Sequence, residues 1–485
     1  MHVLSRQEMY WFDKYTIEKI GIPGENLMEN AGKGCFDYLI SELIKPEHKI
    51  LIICGNGNNG GDGMVIARYL KNANIETKIV LVGDPGKMSP ETLKNYQSCL
   101  DLNISVQFAN SREEWENLDV NRENFTLIVD ALFGIGFKGE IIGWKTQIVD
   151  WINSGDSTVV AIDIPSGLDA DTGNHGKVVK ADFTLTMAAL KYGHLLLPGR
   201  VACGVVKVID LGFPENLFTS FPPRGRLVTE NNVEFPSRSR FSHKGDYGRI
   251  GIIAGSPGYT GAAVMSCRAA LRAGGGLIYL LYPVQRDLDL IYENKLTEVI
   301  TISLPLDENG VINKKALNDK LENIDVLLLG PGIGQSQLSM DLVEYLLDCW
   351  KKPLVLDADA LNIISRKPEL LRLLEGRLLL PHIGEFARLV QKNSELIQKD
   401  LLPELMSFCQ KHGCSVLLKS ATSVFCDGHN LVFNTKGNDG LATGGSGDVL
   451  AGIVISFLGQ KLATREAATA AAFLLGITAE KIALT

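Results

Sequence analysis

The feature that most constrains this chain is a repeated unit: a short, almost continuously apolar run, then a glycine-rich turn, then a helical stretch. Ile50 to Cys54, Ile79 to Gly83, Leu127 to Asp130, Val159 to Ile164 and Ala181 to Met187 supply the apolar runs of one series. A second series restarts at Arg249 to Ala254 and continues through Leu277 to Tyr282, Val326 to Gly330, Leu354 to Asp357 and Val416 to Lys419. Strands that are apolar on both faces must be covered on both faces, so the pattern predicts an α/β chain with doubly wound parallel sheets. Between the two series, Leu211 to Arg240 carries Pro214, Pro222, Pro223 and Pro236 among mixed polar residues and reads as a linker. A chain of 485 residues exceeds one ordinary core of roughly 100 to 200 residues. Two domains are expected, residues 1–215 and 225–485, divided near residue 220.

Composition narrows the ligands. The 49 glycines are a larger share than the usual ~7% and belong in tight backbone such as phosphate loops. A net charge of −8 argues against coating nucleic acid or an anionic membrane, so any anionic ligand is held by local loops. The first residues interleave charge with apolar side chains and carry no signal-peptide core. The longest apolar stretch, near Val449 to Gly459, falls short of the roughly 18 residues of a membrane span. The nine cysteines are scattered without a CxxC pair, which suits reduced thiols in the cytoplasm. Ser5 and Glu8 form a capping-box pattern ahead of Met9, Trp11, Phe12 and Tyr15.

In the first half, ILIICGNGNNGGDGMVIARYL predicts a strand, a glycine-rich turn over Gly55 to Gly63 and a helix from about Met64. The glycines either make a plain βα turn or let backbone amides and a helix N-terminus hold a pyrophosphate. Asn58, Asn59 and Asp62 sit among them, and an aspartate beside bound phosphate calls for a cation. Asp130 and Asp163 stand at strand ends, where open parallel sheets collect ligands. Asp169 and Asp171 fit turn chemistry better.

In the second half, Gly444, Gly445, Ser446 and Gly447 precede Asp448 at the start of an apolar helix. Asp448 is either an N-cap or a base at the mouth of an anion hole, and the four small residues before it favour phosphoryl transfer. Lys419 at a strand end offers charge to a phosphate, as Asp357 and Asp359 offer carboxylates. His382 is either a core histidine or a crevice residue, and its neighbours Pro381 and Gly384 favour the crevice.

Seven motifs in order, NNGGDG (Asn58 to Gly63), DALFGIG (Asp130 to Gly136), DIPSGLDADTG (Asp163 to Gly173), HKGDYG (His243 to Gly248), DADALN (Asp357 to Asn362), PHIGEFARL (Pro381 to Leu389) and GNDGLATGGSGDVLAG (Gly437 to Gly452), resemble the bifunctional NAD(P)H-hydrate repair enzymes over almost the whole chain. That resemblance implies a Rossmann-like domain that epimerises R- and S-hydrated NADH and NADPH (NADHX and NADPHX). It implies next a ribokinase-like domain that dehydrates the S form with ADP and Mg2+, releasing AMP and phosphate.

Carried onto matching positions, it implies potassium held by Asn59, Asp130 and Ser166, with Asp130 also handling protons. The hydrated nucleotide would lie along Asn58, Asn59, Gly60, Gly61 and Asp62, along Gly134, Ile135, Gly136, Phe137, Lys138, Gly139 and Glu140, and against Asp163. In the second domain it implies ADP against Lys419, Ser420, Ala421, Thr422 and Ser423 and along Asn438, Asp439, Gly440, Leu441, Ala442, Thr443, Gly444, Gly445, Ser446 and Gly447. The hydrated nicotinamide would meet Ala263, Gly332, His382, Ile383, Gly384, Glu385, Phe386, Ala387 and the catalytic base Asp448. Leu380, Ile383 and Ser420 depart from the family, which usually has threonine, proline and glycine there. A homo-oligomer with small-molecule partners only, and no nucleic acid or membrane, is expected. The competing readings are a ribokinase-like small-molecule kinase fused to an unrelated nucleotide-binding domain, and a non-catalytic NAD-binding scaffold.

Overall fold

The computed structural model describes residues 1–214, 216–284 and 287–483. Glu215, the expected end of the first domain, and Leu484 and Thr485 at the end of the second lie outside the described residues. The chain forms two compact units, Met1–Gly225 and Arg226–Thr485.

The first unit opens with helix α1 (Arg6–Tyr15), started by the Ser5–Glu8 capping box. Its sheet contains β1 (Lys49–Gly55), β2 (Glu76–Val82), β3 (Ser105–Ala109), β4 (Leu127–Ala131), β5 (Thr158–Ile162), β6 (Phe183–Met187) and β7 (Val205–Ile209). All pair in parallel in the order β3-β2-β1-β4-β5-β6-β7. The parity of β1 shows why both faces need cover. Ile50, Ile52 and Cys54 join a core with Met64, Ile66 and Leu70, while Leu51 and Ile53 join another with Ile148, Val149 and Ile152. Each such aliphatic side chain contributes about 1.5–3 kcal/mol when fully buried. Strand order reverses between β1 and β4, which opens a crevice at their carboxyl ends.

Two features differ from the sequence expectation. The edge strands β3 and β7 carry no continuous apolar run, because an edge strand buries less of itself: Phe108 and Val205 are exposed. The helix after β1, α2, spans Asn58–Asn72 and begins six residues before Met64. A Cβ on Gly60 would stand 1.9 Å from the Gly55 carbonyl oxygen, and one on Gly63 2.7 Å from the Ala131 Cβ. These glycines therefore serve close packing of the helix on the sheet, and the motif itself forms the helix's first turns.

The second unit's strands are β8 (Arg249–Ile253), β9 (Leu277–Tyr282), β10 (Ile300–Ser303), β11 (Val326–Leu329), β12 (Leu354–Leu356), β13 (Leu378–Leu379), β14 (Ser415–Leu418), β15 (Ser423–Cys426) and β16 (Leu431–Asn434). They run in the order β10-β9-β8-β11-β12-β13-β14-β15-β16. Pairing is parallel as far as β14 and antiparallel through β15 and β16. Helices α3 (Thr260–Arg272), α4 (Ile383–Leu389) and α5 (Ser446–Gly459) complete the parts that matter for function. Helix α5 is apolar all round because it is a core helix: Leu450, Val454 and Phe457 pack with Ile250, Ile252 and Val264. Among the described residues no helix is long and apolar enough to cross a membrane.

Candidate active sites

In the first unit, α1, the N-terminus of α2 and the loop after β4 enclose a cleft of about 520 Å³. Of the expected binding residues, Asn58, Asn59, Asp62, Gly134, Ile135, Gly136, Phe137 and Asp163 line it. Gly60 and Gly61 lie behind the wall, holding α2 in place, and Lys138, Gly139 and Glu140 are exposed beyond it. No local motif marks Tyr10 and Asp13, yet α1 brings both into the lining.

Asp163 has a left-handed φ of 64°, a conformation that costs a non-glycine residue about 1–3 kcal/mol and needs support from its surroundings. Two fully buried side chains give that support. The Lys191 ammonium donates to Asp163 Oδ1 at 2.6 Å, Thr186 Oγ1 at 2.8 Å and the Met187 carbonyl at 2.9 Å. His194 accepts from the Lys191 backbone N–H at Nδ1 and meets the Asp163 carbonyl at Nε2, 3.0 Å away, as a neutral ring that donates there. Burial, then the nearby Lys191 charge, pushes the His194 imidazole down to about 3. Burial would raise Asp163, but the Lys191 ammonium outweighs it and holds the carboxyl below its usual value. Asp13 and Asp62 have no such partner among the described residues. Burial drives Asp13 up to about 6 against the pull of the Lys191 charge, with the Asp163 charge adding to the rise, and burial, then the Asp163 charge, drives Asp62 well above the ordinary range.

Asp130 is enclosed more completely than Asp163. Its carboxylate is wholly buried and absent from the cleft lining. It accepts from the Leu132 N–H at 3.2 Å and from the Ser166 hydroxyl and N–H at 2.6 and 2.8 Å. A group so enclosed does not suit proton exchange with substrate. All its partners are neutral, and burial pushes it up to about 6. Asn59 is equally unusual, with both its side-chain amide atoms buried and without a hydrogen bond. Asp169 and Asp171 do serve turn and anchoring chemistry: Asp169 accepts from the Asp171 and Thr172 amides and pairs with Arg6 at 2.8 Å.

In the second unit the N-cap of α5 is Gly445, in a left-handed conformation, and Asp448 lies in the first turn with no capping hydrogen bond. A Cβ on Gly447 would approach Lys419 Nζ to 3.4 Å. That ammonium lies 2.7 Å from Asp357 Oδ1 and 4.0 Å from Glu385 Oε2. Burial would lower Lys419, but Asp357, Glu385 and Asp448 together hold it above the usual lysine value. Burial, then Asp357 and Asp359, pushes Asp448 up to about 6 against the pull of Lys419. The start of α5 thus places a lysine and the free N–H groups of a helix next to a carboxylate poised near neutrality, which suits phosphoryl transfer.

The remaining expected residues divide. His382 is no core histidine: its side chain is 54% exposed and its Nδ1 caps α4 by accepting from Gly384 and Glu385. Asn438 pins its loop by accepting from the Gly440 N–H and donating to the Ala479 carbonyl. Ser420, Ala421, Ala442, Thr443 and Gly444 are exposed, whereas Thr422 is buried. Ala263, Phe386 and Ala387 are set deep as well. Ala263 and Phe386 are wholly enclosed and Ala387 nearly so, with Phe386 against Phe408.

Residues 24–193 match the family described as YjeF-related protein N-terminus, and residues 250–485 match NAD(P)H-hydrate dehydratase. The bifunctional NAD(P)H-hydrate repair enzyme Nnr of Moorella thermoacetica is 36% identical over all of this chain and 93% of its own length. Its counterpart in Escherichia coli is 34% identical over 97% of this chain and 88% of its own. Among solved structures, a ribokinase-like superfamily protein from Enterococcus faecalis is 27% identical with a TM-score of 0.48, covering 54% of this chain and 89% of that one. The ADP/ATP-dependent NAD(P)H-hydrate dehydratase of Bacillus subtilis, co-crystallised with ATP and Mg2+, is 26% identical with a TM-score of 0.42, covering 52% of this chain and 90% of that one. Full-length matches to the repair enzymes set aside the fused kinase and the non-catalytic scaffold. The chain belongs to the bifunctional NAD(P)H-hydrate repair enzymes, joining a Rossmann-like NAD(P)H-hydrate epimerase to a ribokinase-like NAD(P)H-hydrate dehydratase.

Proposed function

We propose that the two crevices are the epimerase and dehydratase centres, and that the residues facing each of them divide the chemistry. In the first, the hydrated dinucleotide lies along Asn58, Asn59 and Asp62 and the loop Gly134 to Phe137, with its pyrophosphate at the N-terminus of α2. The chain's residues fit potassium: Asn59 offers an unpartnered amide oxygen, and Asp130 is a buried carboxylate without a cation, the oxygen donors a hard ion takes. Bound by Asn59, Asp130 and Ser166, potassium supplies fixed positive charge beside an acidic loop. Proton handling belongs to carboxylates that line the cleft rather than to the enclosed Asp130.

In the second centre, ADP lies against Lys419 and the α5 N-terminus. Lys419 and the helix amides hold the phosphates while Asp448 takes the proton of the substrate hydroxyl as that oxygen attacks the β-phosphorus. AMP leaves, and the hydroxyl becomes a phosphate ester. The lone pair of the adjacent ring nitrogen then expels phosphate, and loss of a proton from the neighbouring carbon restores the double bond of NAD(P)H. Mg2+ supplies counter-charge to the nucleotide. Asp359 is the suitable donor for it, because Lys419 already neutralises Asp357 and no cation pairs with Asp359 among the described residues.

The observation that carries this reading is Asp448, uncapping and raised towards neutrality, beside Lys419 at a helix N-terminus. The test is to incubate the chain with mixed NADHX epimers, ADP and Mg2+ and follow NADH absorbance. Full recovery supports both centres, recovery of only the S fraction removes the epimerase, and no recovery removes the reading. The chain acts in the cytoplasm as a homo-oligomer in this reading, and sedimentation velocity checks the assembly.

A further inference from the structure

The family match for the first domain begins at residue 24, yet one wall of the epimerase cleft comes from α1, before that point. The helix is anchored by charge as well as by its cap. The buried Arg6 guanidinium pairs with Asp169 at 2.8 Å, and the Arg6 N–H donates to Asp171 Oδ1 at 2.6 Å. Met9 and Phe12 are buried against the core. With those positions fixed, helical spacing brings Tyr10, Asp13 and Ile17 to the cleft, at i, i+3 and i+7.

An aspartate there is expensive without a purpose. Among the described residues its carboxylate has neither a hydrogen bond nor an ion pair, and its surroundings are largely those of a buried group. The charged and titratable groups around it are Tyr10 on its own helix, Asp62 on α2, Asp163 after β5, Glu91, which also lines the cleft, and Lys191 with His194; the Lys191 ammonium bonds Asp163 directly and draws Asp13 down without touching it. Asp13, Asp62 and Asp163 therefore share the field of one ammonium, and of the three only Asp163 is in contact with it.

We propose that Asp13 is a catalytic proton-transfer residue of the epimerase, paired with Asp62 from a different wall of the cleft. This rests on the first crevice being the epimerase centre. The substrate carbon to be inverted bears a hydroxyl and is bonded to the ring nitrogen. One neutral carboxyl gives its proton to that hydroxyl, the C–O bond breaks, water departs, and the nitrogen lone pair forms a C=N bond to make an iminium. Water adds to the opposite face, a new C–O bond forms, the electron pair returns to nitrogen, and the second carboxylate takes the proton released by the adding water. The donor ends ionised and the acceptor neutral, so the two exchange roles for the reverse direction, and no oxidant or other reactant is consumed. Partial burial without a counter-ion keeps one of the two protonated near neutral pH, as this needs.

The test uses the full chain at pH 7 to 8, where spontaneous epimerisation is slow, with R-NADHX followed by chromatography of the two epimers. Asp13→Asn is expected to lower epimerase kcat by about 100-fold with KM little changed, and to leave ADP-dependent dehydration of S-NADHX at the wild-type rate. Asp13→Glu is expected to recover part of kcat and displace its pH profile. A kcat for Asp13→Asn within about threefold of wild type overturns the proposal. So does a loss that appears in KM alone, or one accompanied by the melting of the first domain in both variants, because each marks a structural role for the helix. Failure of the wild-type chain to interconvert the epimers would instead overturn the reading of the crevice itself.

Discussion

The two halves of this chain use the same device, a helix N-terminus at the carboxyl end of a parallel sheet, and arrange opposite chemistry around it. In the first unit the glycines of the motif are structural: Gly60 and Gly63 let α2 lie on β1, and the ionisable groups stand around the helix start with a single ammonium among Asp13, Asp62 and Asp163. In the second unit Gly444 meets open space, Gly447 faces Lys419, and the acids are organised by that lysine. Two carboxylates with raised pKa values, Asp13 and Asp62, beside Asp163, which Lys191 holds low, suit proton traffic in both directions without a co-substrate. A lysine set beside helix amides suits a phosphate donor, leaving one carboxylate, Asp448, to act as base. The contrast teaches that a glycine-rich strand–helix turn identifies a ligand site and not its reaction.

The largest effect should come from Asp448→Asn, since an amide cannot accept the substrate's proton. Dehydration of S-NADHX should fall by about 100-fold or more, while R-to-S conversion stays unchanged. The same substitution checks folding through a sign. Burial and the neighbouring acids hold Asp448 near 6 in the fold, above the roughly 3.9 of an unfolded aspartate, so its ionised form is disfavoured by folding above about pH 6. Asp448→Asn should therefore raise the melting temperature of the second domain at pH 8, an advantage that fades as pH falls through 6 towards 4. A lowered melting temperature at pH 8 would mean the carboxylate is a structural group and would remove the contrast.

Asp130→Ala should cost the epimerase about 10- to 100-fold, as loss of a metal-holding residue commonly does, abolish any potassium dependence, and spare dehydration. Epimerisation that proceeds unchanged, and with the same response to potassium, would free Asp130 from the ion-holding role. Gly60→Ala should damage the same domain by another route. The added methyl meets the Gly55 carbonyl, and overpacking against backbone costs about 3 kcal/mol, seen as earlier urea unfolding of the first domain only.

A subtler effect is the pH dependence of dehydration. Asp448 must be ionised to act, so kcat/KM should rise about tenfold per pH unit below 6 and level off above it. Lys419→Met removes the positive charge that restrains this carboxyl, so the rising limb should move to higher pH. A limb that stays in place would show that Lys419 and Asp448 do not share a field.

The sequence was legible wherever a residue's chemistry is local. The apolar runs read directly as central strands because burial on both faces leaves no polar alternation, and the helix start at Gly444 to Asp448 was legible because its parts are adjacent. Edge strands such as Ser105–Ala109 and Ile300–Ser303 escaped, being half-exposed and short. Asp13, Lys191 and His194 escaped for a different reason: they meet Asp163 only through the fold, from 150, 28 and 31 positions away, and nothing beside them in sequence announces it. The enclosure of Asp130 was not legible either, because a strand-end position does not reveal whether a carboxylate faces the crevice or the loop packed over it.

Gly444→Ala should produce the smallest effect, and that is its value. The residue is exposed, its φ is not left-handed, and an added Cβ meets no protein atom within 4 Å. Stability should change by no more than about 0.5 kcal/mol, the usual range for a surface substitution. Any functional change then reports what occupies the space in front of the loop. If nucleotide phosphates approach the backbone there, the methyl obstructs them, and the KM for ADP should rise severalfold while kcat stays within about twofold and epimerisation is untouched. A variant with unaltered ADP kinetics would place the nucleotide away from Gly444 and weaken the distinction between packing glycines in the first domain and ligand-facing glycines in the second. A variant that unfolds early would erase that distinction, because both loops would then use glycine for the same structural end.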